Sequence, residues 1–246
     1  MIRLAAVGDV HLGRDLRGRH RAGLARLGER ADVLLLAGDL SRHGTAEEAT
    51  IVAEEYRDLG VPVIAVLGNH DYHSDGAGTM TRALYDAGIT VLEGDGVVLR
   101  LPGGSLGVAG VKGFGLGFAG RCGSEFGEPQ MKAFVRHGRD CAQRLAEALG
   151  GLADADADVR VALTHYAPTD ETLVGEPPEI WPFLGNYLLG EAIDRAGVQL
   201  AVHGHAHAGR ERGLTAGGTR VRNVAQPIIR SACAVYTLHR PERSPR

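Results

Sequence analysis

The sequence predicts an α/β domain built on a partly parallel sheet, and two observations carry this reading. Short continuous apolar runs at residues 4–7, 33–37 and 63–67 alternate with stretches of helical character. Each run is followed at once by glycine and a polar residue, in Gly8-Asp9, Gly38-Asp39 and Gly68-Asn69. Runs of that length without polar alternation suit strands buried on both faces, as parallel strands between helices are. The 246 residues are enough for one large domain with a substantial core. With no internal repeat or linker, residues 1–246 read as one domain.

The elements follow in order. Residues 4–7 are the first strand, and residues 18–30, rich in Arg, Ala and Leu, predict a helix. Residues 33–37 are the second strand. Thr45-Ala46-Glu47-Glu48 spells a capping box, in which Thr45 accepts from an N–H of the first turn and Glu48 reaches back. That helix should run to about Leu59, where Gly60 stops it. Residues 63–67 are the third strand, and residues 79–87 a short helix closed by Gly88. Residues 97–101 and 106–109 predict a hairpin across Pro102-Gly103-Gly104-Ser105, opening a second sheet.

Residues 103–127 are dense in glycine and predict a mobile loop over the site. Within them Gly115, Gly117 and Gly120 spell G-x-G-x-x-G. A dinucleotide site needs that motif at a strand-to-helix turn, and Arg121-Cys122-Gly123-Ser124 is a poor helix start. Residues 128–149 read as a longer amphipathic helix, and 153–158 as a solvated acidic connector. Residues 159–163 are a strand leading to His165. Residues 166–182 form a polar loop with prolines and the one tryptophan, Trp181. A helix over 185–196, a strand at 200–202 and last strands at 221–224 and 232–238 complete the chain.

The formal net charge of -3 gives no general drive toward nucleic acid or anionic membrane. Cys122, Cys141 and Cys233 form no C-x-x-C motif and no disulfide framework, so buried reduced thiols are expected. No apolar stretch approaches the ~20 residues that span a bilayer. The start has no basic segment followed by an apolar one, so a cytoplasmic location is expected.

Five polar clusters stand at the ends of apolar runs: Gly8-Asp9-Val10-His11, Gly38-Asp39, Gly68-Asn69-His70-Asp71, Thr164-His165 and Gly204-His205-Ala206-His207. Ligands on the turns after strands can converge on one point. A single Asp before a helix is ordinarily an N-cap, and a single His at a strand end a structural residue. Five clusters with only oxygen and nitrogen donors suit metal ions, and the absence of cysteine argues against structural zinc.

Their order, D-x-H, GD, GNH[DE], a lone His and GHxH, resembles the calcineurin-like metallophosphoesterase family, over Asp9 to His207. The resemblance implies two facing mixed β-sheets flanked by helices, a four-layer sandwich with the metals at one edge. It implies two divalent or trivalent ions, manganese first, with Fe, Zn, Co or Ni as alternatives. Asp9, His11 and His207 would hold one ion, Asn69, His165 and His205 the other, and Asp39 would bridge. The glycines at 8, 38, 68 and 204 would let the chain turn sharply beside the ions.

By the same resemblance His70 is the general acid for the leaving alkoxide, and Asp71 holds its tautomer. A metal-bridging hydroxide would be the nucleophile, with no phosphoenzyme. The expected function is hydrolysis of a small phosphate ester, by a phosphodiesterase or phosphatase. A metal-dependent nuclease is the alternative, although the arginines look dispersed and without interleaved aromatics. A non-catalytic scaffold would be expected to lose ligands, and all seven are present. Arg14 and His43 are candidates to touch phosphate, His73 to border the pocket, and Trp181 to wall it.

Overall fold

The computed structural model describes residues 1–155 and 157–240; of the acidic connector, Asp156 lies outside the described residues. The strands, in chain order, are β1 (Ile2–Val7), β2 (Val33–Ala37), β3 (Val63–Val66), β4 (Thr90–Val91), β5 (Asp95–Leu101), β6 (Gly104–Val111) and β7 (Gly117–Phe118). They continue with β8 (Arg121–Cys122), β9 (Val159–Thr164), β10 (Leu200–His203), β11 (Arg212–Leu214), β12 (Arg220–Asn223) and β13 (Ala234–Leu238). One sheet has the order β13-β1-β2-β3-β4 and the other β11-β12-β10-β9-β6-β5. In the first, β1 to β4 are parallel and β13 is antiparallel. In the second, β6, β9, β10 and β12 are parallel, and β5 and β11 are antiparallel edges.

Alternation along β1 explains the layering. Ile2, Leu4 and Ala6 join Leu35, Ile64, Val108, Val161 and Val202 in a core between the two sheets. Ala5 and Val7 face the other way, onto Leu24, Val52, Tyr56, Met80 and Leu84 of the flanking helices. On the far side, Ala109, Ala162 and Ala201 pack against Leu145, Leu149 and Ile193 of helices Pro129–Asp154 and Tyr187–Ala196. The result is helices, sheet, sheet, helices, as expected. Strands in the middle layers bury both faces, which is why their sequences are unbroken apolar runs.

Local signals held where the cause was local. Thr45 caps helix Ala46–Tyr56, with both bonds of the capping box present. Asn186 caps Tyr187–Ala196 through Leu188 N at 3.0 Å. The helix expected over 18–30 is instead two single turns, Arg21–Leu24 and Leu27–Arg30, parted where Arg26 takes φ 56°. A long-range contact decides this, because the buried Glu55 carboxylate accepts from the N–H groups of Gly18, His20 and Arg21. The turn is thus satisfied from another helix. Of the cysteines, only Cys141 is buried as expected; Cys122 is exposed and Cys233 intermediate.

The glycine-rich stretch is also corrected. Its first part is β6, whose residues 105–111 are buried, and Gly117 and Phe118 pair with Arg121 and Cys122 as a β-ribbon. Gly115 packs so closely that a Cβ there would lie 2.4 Å from Pro182 O. Much of this glycine serves tight packing. The clusters stand at the carboxyl ends of β1, β2 and β3 in one sheet and of β9 and β10 in the other, and they come together there.

Candidate metal centre

The turns after the strands carry backbone strain. Asp9, His11, Asp39 and His205 have φ of 55°, 43°, 49° and 69°, in the left-handed region that side chains rarely adopt. They are half of the eight such non-glycine residues among those described. The expected role of the glycines is therefore partly corrected. Of Gly8, Gly38, Gly68 and Gly204, only Gly38 has positive φ, at 81°. The others provide room: a Cβ on Gly204 would lie 2.2 Å from Asp9 Oδ2, and one on Gly68 2.1 Å from Asp39 Oδ1. Backbone bonds tie the turns together, from Asp9 N to Gly38 O at 2.9 Å and from His11 N to Asp39 O at 3.1 Å.

Three overlapping groups result. Asp9, His11 and His207 form one, His11, Asp39 and His70 a second, and Asp39, His165 and His205 a third; in each, potential ligand atoms lie within 4.8 Å of one another. Asn69 joins the third through Oδ1, 3.0 Å from His165 Nε2. All seven expected ligands therefore meet, and Asp39 sits in two groups.

The arrangement fits metal ions. His11 Nε2 is buried with no hydrogen-bond partner among the described residues, an orphan that a bound ion would satisfy. Outer carbonyls select which ring nitrogen faces inward, as metal-ligating imidazoles require. His165 Nδ1 donates to Ala37 O at 2.9 Å and His205 Nε2 to Phe183 O at 3.1 Å. That leaves His165 Nε2 and His205 Nδ1 for the centre. Asp9 accepts His205 N at 2.9 Å and faces His207 Nε2 at 2.9 Å.

Charge within the group is tightly coupled. Burial would raise the Asp39 carboxyl, but the His165 imidazole 3.3 Å away reverses this and holds it well below the carboxylate range. Burial would lower His165, but Asp39 reverses that and lifts it to about 9. Burial pushes His205 down to about 3 and lowers His11. The hydrogen bond with Asp9 raises His207.

The family model of the calcineurin-like phosphoesterases matches residues 2–209. The chain belongs to this family. It is a phosphoesterase by family, and its described residues include Asp and His groups that could hold metal ions. No curated protein sequence matches it. The phosphopantetheinyl hydrolase of Mycobacterium tuberculosis is similar in fold, with a TM-score of 0.66 and 17% identity over 98% of each chain. A putative 5'-nucleotidase from Staphylococcus aureus gives a TM-score of 0.58 and 17% identity, over 90% of this chain and 48% of that one. GAP50 of Plasmodium, an anchor in the inner membrane complex, gives 0.56 and 13% identity, over 92% and 72%. At such identities these likenesses speak for the fold alone.

Some expected roles move. His70 Nδ1 donates to Arg42 O at 2.8 Å, and the Asp71 carboxylate does not hold the ring. Asp71 is fully buried and accepts from Leu40 N, Ser41 N, Ser41 Oγ and Gly68 N at 2.6 to 3.2 Å. It fastens the Asp39 turn to the Asn69 turn. Arg14 pairs with Glu47 and His43 with Glu48. His73 meets the His43 ring at 6.0 Å. Trp181 packs on Phe118, Leu173, Leu184 and Ala206, and its Nε1 donates to Glu176 O.

A cavity of about 510 Å³ opens beside Asn69, lined by Tyr72, Glu93, Lys112, Phe114, His137, Arg144 and Tyr166. Sequence reasoning missed Lys112 and Arg144. A signal existed: Lys112 follows β6 as His165 follows β9, and it is one of only two lysines in the chain.

Proposed function

We propose that the chain hydrolyses a small-molecule phosphate ester with two metal ions bound at this centre. The observation that carries the reading is that three groups (Asp9, His11 and His207; His11, Asp39 and His70; Asp39, His165 and His205) overlap through His11 and Asp39, with His11 Nε2 orphaned. Asp9, His11 and His207 would hold one ion, Asn69, His165 and His205 the other, and Asp39 would serve both. Manganese is the first choice by the resemblance, and the nitrogen and oxygen donors are also compatible with Fe, Zn, Co and Ni. When bound, such a pair supplies a nucleophile at neutral pH and relieves charge on the phosphoryl oxygens.

The chain's own residues would do the rest. His70 lies at the rim, its Nε2 3.9 Å from Asp39 Oδ2 and its side chain 44% exposed, so it can reach a departing oxygen. With Nδ1–H committed to Arg42 O, the ring carries a proton on Nε2 only as imidazolium, and that is the proton it would give. Asp39 also accepts His70 N at 2.8 Å, which ties acid and bridge into one unit. Asp71 acts as a positioning residue through the backbone.

The cavity beside Asn69, about 510 Å³ and lined by Tyr72, Phe114 and Tyr166, has the size of a small-molecule site, which favours a small substrate over a nucleic acid. Proteins of similar fold range from a hydrolase to an anchor, so the donor set, and not the fold, supports catalysis here. The test is manganese-loaded protein against nitrophenyl phosphomonoesters and diesters, cyclic nucleotides and DNA. Turnover of small esters that changes little between about 50 and 200 mM salt is expected. DNA cleavage that falls steeply over that range would point to the nuclease instead.

A further inference from the structure

The cavity beside Asn69 contains a cation that the metal chemistry does not use. Lys112 is 8% exposed, and its Nζ stands 5.3, 5.3 and 5.1 Å from the ring centroids of Tyr72, Phe114 and Tyr166. Its one hydrogen bond from Nζ among the described residues goes to Gly113 O at 3.0 Å. An ammonium has three donors, so two remain for something in the cavity. No carboxylate pairs with it among the described residues. Glu93, the acid that lines the same space, binds Arg144 at 2.9 Å and receives Lys112 through its backbone N–H. Lys112 and Arg144 against Glu93 leave the lining one positive charge in excess.

A buried ammonium is expensive, and π faces alone offset part of the cost. A fold that needed only packing there would place an apolar side chain at position 112. The cavity reaches the metal centre through two of its walls. Asn69 belongs to the donor set, and Tyr166 follows His165 and lies 4.4 Å, ring to ring, from His205. A phosphate ester held at the metals would then have space for the rest of its molecule in the cavity that holds Lys112.

We propose that this cavity recognises the organic part of the substrate, and that Lys112 anchors an anionic oxygen group, carboxylate or phosphate, carried on it. This rests on the phosphoesterase reading and adds the substrate class: phosphate esters whose apolar or flat arm bears a second anion. Tyr72, Phe114 and Tyr166 would flank the arm while Lys112 fixes its end. Burial lowers the Lys112 ammonium from its usual pKa, and a bound anion would oppose that.

The test uses phosphonates, which cannot be hydrolysed, on metal-loaded protein by calorimetry. Phosphonates whose alkyl or aryl arms of several lengths end in carboxylate are compared with the carboxamides of the same shape. A second phosphonate replaces the carboxylate in a further arm, which tells which anion is preferred. Wild type should bind at least one probe with a second anionic group about 10–100-fold tighter than its carboxamide, the effect of one charge-assisted hydrogen bond. In Lys112→Met that preference should vanish while metal content is unchanged. Lys112→Gln, which keeps a donor for Gly113 O, is the second variant. Equal binding of acid and amide at every length in wild type overturns the proposal and leaves the phosphoesterase reading intact. So does a preference that survives in either variant. If no phosphonate binds and no phosphate ester turns over, the proposal falls together with the reading it rests on.

Discussion

A Cβ on Gly68 would lie 2.1 Å from Asp39 Oδ1 and 2.2 Å from Asp39 N. The turn after β3 thus presses on the residue proposed to serve both ions. Gly68 does not have positive φ, so its backbone conformation would accept alanine and only the collision objects. Gly68→Ala should displace Asp39, cost about 1–3 kcal/mol by overpacking and reduce metal content. Thermal unfolding and elemental analysis check this; a variant with wild-type metal content would show that Asp39 is not held in place from this side.

His70→Ala should keep both ions. Activity should fall most on esters of high-pKa alcohols and least on nitrophenyl esters, by about 10²–10⁴-fold on the former. The comparison is kcat/KM across a leaving-group series. Equal losses along the series would remove His70 from the acid role.

Metal binding should compete with a proton. In the metal-free protein His165 is raised to about 9 from the ordinary 6.5. Its charged pairing with Asp39 stabilises the fold fully below about 6.5, and that contribution is lost as pH rises through about 9. An ion needs the neutral ring, so below that pH it must displace the proton. Apparent affinity should tighten roughly tenfold per pH unit for one displaced proton, between about pH 7 and 9. His207, which its hydrogen bond with Asp9 also raises, adds to the slope, whereas His205 and His11, whose imidazoles burial already lowers, do not. Calorimetric titration across this range is the check, and a flat profile would contradict the Asp39–His165 coupling.

Asp71→Ala strips acceptors from Leu40 N, Ser41 N, Ser41 Oγ and Gly68 N at once. Leaving several buried donors unpaired should cost about 3 kcal/mol or more. Asp71→Asn, which keeps one acceptor oxygen, should recover part of that in urea unfolding. An unchanged unfolding midpoint for the alanine variant would mean that these two turns do not depend on Asp71.

That the candidate donors would come together was legible in the sequence, because each cluster follows an apolar run and parallel strands put their carboxyl ends at one edge. The layers were legible too, since strands such as β2 have no polar alternation. What was not legible depends on partners far along the chain. Glu55 breaks the helix expected at 18–30 by satisfying its N–H groups from another element. Asp71 sits beside His70 in sequence, yet its carboxylate points to Ser41 and Gly68. Trp181 packs against a cluster that includes Phe118, Leu184 and Ala206, partners drawn from three stretches of the chain. The cavity gathers Tyr72, Lys112, His137 and Arg144 from separate elements, which no local spacing reveals.

The central claim is a pair of ions sharing Asp39, and elemental analysis of purified protein after metal loading addresses it most directly. The account predicts about two ions per chain for wild type and no more than about one for Asp39→Ala, since a pair needs its shared carboxylate. A wild-type value near zero, or an undiminished pair in Asp39→Ala, would contradict it.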